Sequence, residues 1–302
     1  MSPTWFILAF STTILSALVN VLDSHFMSRR MPGTRAYMLI CGVFLLPVSI
    51  IILTLFPLPA GIGLAPIWAI VVSATITSFA SLLIVNAMKS QDVASVAPVV
   101  STAPVFVAVL ATIFLGESLV FHQWLGILAV ISGAVIISFR WDAKGTSHFH
   151  SRPFLILLGV AVIAAAGSVF NKYALDYMSF WTCSGIDFLV ASLVILALCL
   201  RRDVVDSLKA IENSNQAITL TLVNQAIATA ATMMAFWTVQ LGPVALASTV
   251  FNSKPLLVFA GSAVIGRCAP WFMICEKLSP KGWVIKGAGT LAVVAGLAVV
   301  FI

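Results

Sequence analysis

Lys254 is the side chain with the most chemical leverage in this chain of 302 residues, because it stands about ten residues inside an apolar stretch. At 1.5 Å per residue that is ~15 Å from the start of the stretch, the middle of a ~30 Å hydrocarbon layer. An ammonium at that depth costs from ~3 to more than 10 kcal/mol, so it needs a partner, a cavity or a ligand. Its neighbours are Asn252, Ser253 and Pro255. A proline in mid-helix removes one backbone hydrogen bond and clashes with the carbonyl four residues earlier, here Phe251. Ser101, Thr102 and Pro104 repeat the arrangement, with Val100 as the clashing residue. Freed backbone, an amide, hydroxyls and an ammonium together suit recognition of a carboxylate or phosphate. The plain alternative is a pair of packed kinks with a lysine snorkelling outward.

Other polar side chains fall inside apolar stretches. Asp187 and Lys172 sit on consecutive stretches, where they either neutralise one another or leave Asp187 as a proton site. Asn20, Asn171, Asn86, Asn224, Gln225 and Trp237 add amides and a ring that could line a polar path. Each also has an ordinary role, as an interhelical hydrogen bond or an interfacial anchor. Glu117 reads as a loop carboxylate that interacts with a helix end. His148 and His150 have no third ligand nearby, and the five cysteines form no Cys-x-x-Cys pair, so no metal or cofactor is expected. With neither paired carboxylates nor a nucleophile beside its base, the chain does not read as an enzyme.

The elements that must position these residues are membrane helices. Apolar residues make up 61% of the chain and charged residues 9%, with a mean hydropathy of +1.11. Ordinary soluble domains carry about 25% charged residues. The net charge of +6 does not indicate nucleic acid, because the basic residues lie between apolar runs instead of clustering. Ten stretches are long enough to span a bilayer, at 4–26, 36–56, 66–88, 93–115, 122–139, 154–175, 180–200, 216–241, 243–265 and 283–302. The first lacks a basic leader and reads as a retained span. Fourteen of the sixteen Lys and Arg residues fall at loops joining odd to even spans, which puts those loops in the cytoplasm and both termini on the other side. Within 201–215, Val204, Val205, Leu208 and Ile211 recur at helical spacing, as in a short helix on the membrane surface or a solvated linker with a helical turn.

The chain also repeats itself. An offset of 151 residues aligns Asn20 with Asn171, Met27 with Met178, Val93-Ala94 with Val244-Ala245 and Pro104 with Pro255. Beyond the proline, Glu117 to Trp124 meets Glu276 to Trp283 at an offset of 159. The expected architecture is therefore all-α: a polytopic membrane protein of ten transmembrane helices in two five-helix repeats, 1–139 and 154–302, joined by 140–153. Because five is odd, the second repeat enters the membrane inverted. Ala129 with Gly133 and Ala292 with Gly296 give small-residue faces on spans five and ten, which brace the halves or form a homodimer seam.

Residues 86–137 resemble the EamA domain of the drug/metabolite transporter superfamily. Pro104, Gly116-Glu117, Gln123-Trp124, Gly126 and Gly133 carry the resemblance, and 243–302 is a degraded copy. The copy departs at Gly266-Arg267-Cys268, where the Gly-Glu turn is missing, and in an insertion before Glu276. The string FNSKPL also loosely resembles the Asn-Lys motif of nucleotide-sugar and triose-phosphate carriers in that superfamily. The resemblance implies cytoplasmic termini, against the loop charges. It also implies an inner-membrane secondary carrier for a small polar organic metabolite, with spans one, three, four, six, eight and nine lining the path. A flippase for a lipid-linked sugar and a non-transporting scaffold or sensor are the alternatives.

Overall fold

The computed structural model describes residues 3–29, 31, 33–90, 101–138, 151–209, 214–257 and 280–300. Eleven helices account for the regular structure among them: α1 (Pro3–Arg29), α2 (Thr34–Leu55), α3 (Leu64–Ser90), α4 (Ala103–Phe114), α5 (Phe121–Ser138), α6 (Ser151–Leu175), α7 (Phe180–Cys199), α8 (Arg202–Lys209), α9 (Ser214–Leu241), α10 (Val244–Phe251) and α11 (Pro280–Val300). In lipid a backbone must satisfy its own N–H and C=O groups, which is why so apolar a chain is helical almost throughout. Helices α1, α2, α3, α6, α7 and α9 each contain an apolar segment long enough to cross a membrane. Helices α4, α5 and α11 carry shorter apolar segments, Ala103–Phe114, Phe121–Ile137 and Gly287–Val300.

Spans four and nine, expected as continuous stretches at 93–115 and 243–265, differ from that expectation in their described parts. A turn at Ser101-Thr102 precedes α4, and a turn at Asn252-Ser253 follows α10 before the chain resumes a helical turn at 254–257. Residues 91–100 and 258–279 lie outside the described residues. Within 201–215, α8 is a full helix of eight residues with Val204 buried and Arg202 and Asp203 exposed.

Two compact units divide the chain, one of Met1–Phe79 with Phe170–Gly242 and one of Ala80–Val169 with Pro243–Ile302. Each takes chain from both sequence repeats. In the first unit α2 packs lengthwise on α7. Ser192 Oγ donates to the Gly42 carbonyl at 2.8 Å near one end, while Gly185 lies against Leu53 and Ile52 near the other. The two helices are therefore antiparallel. Leu45, Ile52 and Phe188 form their apolar seam, with Val48 and Met233 against it. Helices α1 and α9 are antiparallel too, since Trp5 Nε1 donates to the Thr238 carbonyl at 3.0 Å and Asp23 meets Asn224.

In the second unit α5 and α11 pack along their length. A Cβ on Gly126 would lie 2.7 Å from the Gly296 carbonyl and 2.8 Å from the Val300 nitrogen, and one on Gly133 would lie 2.6 Å from the Gly289 carbonyl. These contacts again require an antiparallel pair. Helices α2 and α7 correspond to spans two and seven, and α5 and α11 to spans five and ten. Repeat-equivalent helices thus run in opposite senses, the relation that an odd number of spans per repeat demands. The small-residue faces of spans five and ten meet each other inside the chain, so neither needs a second copy to cover it.

Such close backbone contact leaves no room for a side chain. We expect Gly126→Ala and Gly133→Ala to destabilise the purified protein by about 1–3 kcal/mol each through overpacking. Gly287→Ala, whose Cβ meets nothing within 4 Å, should leave the melting temperature unchanged or raised.

Candidate functional site

The second unit gathers the polar residues that surround the two helix breaks. At Ser101-Thr102 the chain turns and α4 begins, with Thr102 at its N-cap and Pro104 in the first turn, where a missing N–H costs nothing. At the other break the backbone N–H of Asn252 still reaches the Ser248 carbonyl at 3.0 Å, and Ser253 Oγ donates back to Val250 at 2.7 Å. The Asn252 side chain is left to look elsewhere. Its Nδ2 donates to the backbone carbonyl of Ser101 at 2.5 Å, across a sequence separation of 151 residues. That separation equals the repeat offset, so the bond joins equivalent positions of the two repeats.

Lys254 follows at the first position of the resumed turn, half-buried, with Pro255 behind it. Among the described residues no hydrogen bond or ion pair holds its ammonium. Its equivalent in the first repeat is Ala103, the first residue of α4. Ser101 and Ser253 are buried, and Thr102 and Asn252 half-buried. The structure therefore brings five residues named from the sequence, Ser101, Thr102, Asn252, Ser253 and Lys254, to one pair of breaks. It can offer an anion one ammonium beside an amide and loosened backbone, a recognition chemistry without a nucleophile or base.

Glu117, from the turn after α4, lies at the other end of the α4 and α10 pair. Gly116 ahead of it takes a left-handed φ of 66°, and the carboxylate bonds the N–H groups of Val244 at 2.7 Å and Ala245 at 3.3 Å. It thereby caps the N-terminus of α10, whose own N-cap residue, Pro243, has no side-chain donor or acceptor.

The remaining named residues belong to the first unit, apart from Asn86, whose side chain is outside those described. Of the two readings left open for Lys172 and Asp187, mutual neutralisation is not what the described residues show. Lys172 Nζ bonds Asp176 at 3.2 Å, one turn along α6, and the Val239 carbonyl at 3.1 Å, where it caps the end of α9. The turn just past the end of α6 supplies this nearer carboxylate. Asp187 is half-buried on α7 with no hydrogen bond or ion pair among the described residues. Asn20 is exposed on α1, whereas Asn171 is half-buried and its Oδ1 has no hydrogen-bond partner among the described residues. Gln225 is half-buried on α9. Trp237 stacks on Phe180 at 5.3 Å, and Trp181 stacks on Phe56 at 4.8 Å, giving an aromatic row in which Trp237 remains 40% exposed. Gln240 supports this end of the unit through Phe180 N–H at 3.3 Å and the Met178 carbonyl at 3.1 Å.

Sequence reading missed one cluster. Asp23 Oδ1 accepts from the Tyr37 hydroxyl and from Asn224 Nδ2, the latter at 2.6 Å. Only Asn224 had drawn attention. Asp23 stands at the end of span one and Tyr37 at the start of span two, so both look like interfacial residues in the sequence. Among the described residues no three His, Cys, Asp or Glu side chains are grouped to hold a metal.

Long apolar helices, and repeat-equivalent helices packed antiparallel, define a multi-pass α-helical membrane protein built by duplication. A family model for the EamA-like transporter family matches residues 3–139 and again 152–302. The chain belongs to that family, part of the drug/metabolite transporter superfamily. One solved crystal structure superposes on 100% of this chain and 99% of its own with a TM-score of 0.71 at 16% identity, a likeness of fold. No curated protein matches the chain.

Glu117→Ala removes the cap of α10 and leaves two N–H groups without their acceptor. The expected cost is about 1–2 kcal/mol, seen as a lower melting temperature, with Glu117→Gln recovering part of it.

Proposed function

We propose that the protein is a secondary carrier of a small polar organic solute bearing a carboxylate or phosphate, working in the inner (plasma) membrane. The observation that carries this reading is the bond from Asn252 to the Ser101 carbonyl, which ties two helix breaks together beside Lys254. Broken helices are tolerated at membrane depth where they are buried in protein or line a polar cavity, and carriers with inverted repeats use them to hold solutes. The ammonium of Lys254 pairs with the anionic group, and the amide of Asn252 and the hydroxyls of Ser101, Thr102 and Ser253 orient the rest.

The two repeats, 1–139 and 154–302 with 140–153 connecting them, supply the motion. Two similar halves inserted oppositely can exchange conformations, so the solute opens to either side in turn without a separate motor. Antiparallel packing of α2 on α7 and of α5 on α11 supports this reading. No step makes or breaks a covalent bond, so the activity is transport and not catalysis.

A thermal-shift screen of purified protein against amino acids, other carboxylates and sugar phosphates tests it. At least one anionic solute should raise the melting temperature of the parent and leave that of Lys254→Ala unmoved. A ligand at 100 times its Kd stabilises a native state by about 2.7 kcal/mol, enough to read as several degrees. Equal shifts in parent and variant would remove Lys254 from the site.

A further inference from the structure

The Asp23 cluster lies in the first unit, apart in sequence from the helix breaks, and solute recognition at Lys254 makes no use of it. It links three helices: Asp23 on α1, Tyr37 on α2 and Asn224 on α9. Asn224 is 1% exposed and Tyr37 4%. Asn224 Nδ2 donates to Asp23 Oδ1 at 2.6 Å and lies 3.3 Å from the Tyr37 hydroxyl, which itself donates to Asp23 Oδ1. Two neutral donors therefore converge on one carboxylate oxygen.

The groups around Asp23 supply no described cation. From α2 it faces Tyr37 and Cys41. Cys41 is packed with Tyr37 against Leu22, Met31 and Leu220. Helix α9 contains no ionisable side chain along its whole length. Cys199 of α7 lies beyond Cys41, and Arg35 and Arg201 act on Cys199. On α1 itself, His25 and Arg29 have side chains outside those described.

The amide oxygen of Asn224 is the telling atom, because it is buried and has no hydrogen-bond partner among the described residues. Most buried polar atoms in folded proteins are paired, so an idle acceptor beside a buried carboxylate calls for a role. Here the amide presents a donor to the carboxylate and holds an idle acceptor on the same group. A half-turn of the amide would exchange them, offering Asn224 Oδ1 to an O–H formed on Asp23 Oδ1, whose remaining lone pair still accepts from Tyr37. One set of side chains can thus serve both protonation states of the carboxyl.

We propose that Asp23, Tyr37 and Asn224 form a proton-binding site, in which Asp23 takes a proton from water and returns it as the Asn224 amide turns. Gain of the proton forms one O–H bond on the carboxyl and removes one unit of negative charge from the α1, α2 and α9 contact. Under the carrier reading, this is where a proton gradient acts on α1; the protonation itself does not depend on that reading.

Infrared difference spectroscopy of the full-length protein in lipid, titrated from alkaline to acid pH without any solute, tests the site. The parent should gain a carboxylic acid C=O band that Asp187→Asn retains and Asp23→Asn lacks. Tyr37→Phe, which keeps the ring in place should Asp23→Asn fail to fold, should displace the band's midpoint by about one pH unit, a tenfold change in proton affinity. Bands unchanged in Asp23→Asn, or a midpoint unmoved in Tyr37→Phe, overturn the proposal. Because the measurement needs no transported solute, it can fail while the thermal-shift screen succeeds, and the reverse.

Discussion

A backbone in hydrocarbon has nowhere to put an unpaired N–H or C=O, and the helix breaks of this protein are an answer to that constraint. Each unpaired group costs several kcal/mol where water is absent. Before Pro255 the chain leaves the helix for one turn at Asn252-Ser253, and before Pro104 a turn at Ser101-Thr102 leads into α4. The Ser101 carbonyl freed at one break is taken up by the Asn252 side chain from the other, at 2.5 Å. Each break is thus part of the other's solution, and the polar groups left near them are what a solute can use.

Duplication explains the placing of that bond, and divergence explains its chemistry. Positions 101 to 104 and 252 to 255 correspond one to one, as Ser, Thr, Ala, Pro against Asn, Ser, Lys, Pro. One repeat has kept small residues and contributes backbone, while the other has acquired an amide and an ammonium. In the proposed carrier a solute held there would meet one positive charge instead of two, which suits a singly anchored carboxylate or phosphate and spares the bilayer a second buried cation. Glu117 shows the same division of labour, because a carboxylate from the first repeat caps α10 of the second.

Much of this was legible in the sequence, because its signals are local or periodic. The apolar helices follow from runs of apolar residues, the repeat from a fixed offset, and the small-residue faces of α5 and α11 from glycines and alanines four residues apart, while the meeting of those two faces with each other is set by the fold. The role of Glu117 followed from a carboxylate in a tight Gly-Glu turn. What stayed hidden depends on pairings that no spacing encodes. Asp23 finds Asn224 across 201 residues and Tyr37 across 14, and neither distance leaves a periodic trace. Neutralisation of Lys172 by Asp187 is one of two readings the sequence leaves open, since both sit in apolar stretches, but Asp176, in the turn just past α6, is the nearer i,i+4 partner. Asn20 and Asn171 align perfectly in the repeat yet differ in exposure, since equivalent positions of inverted repeats need not face equivalent neighbours.

An experimental structure with a stabilising carboxylate or phosphate solute bound is the most direct measurement of the central claim. The account predicts the anionic group within hydrogen-bond distance of Lys254 Nζ, with Asn252 and the Ser101-Thr102 turn around it. A solute bound elsewhere, with the Lys254 side chain extended into lipid, would contradict it.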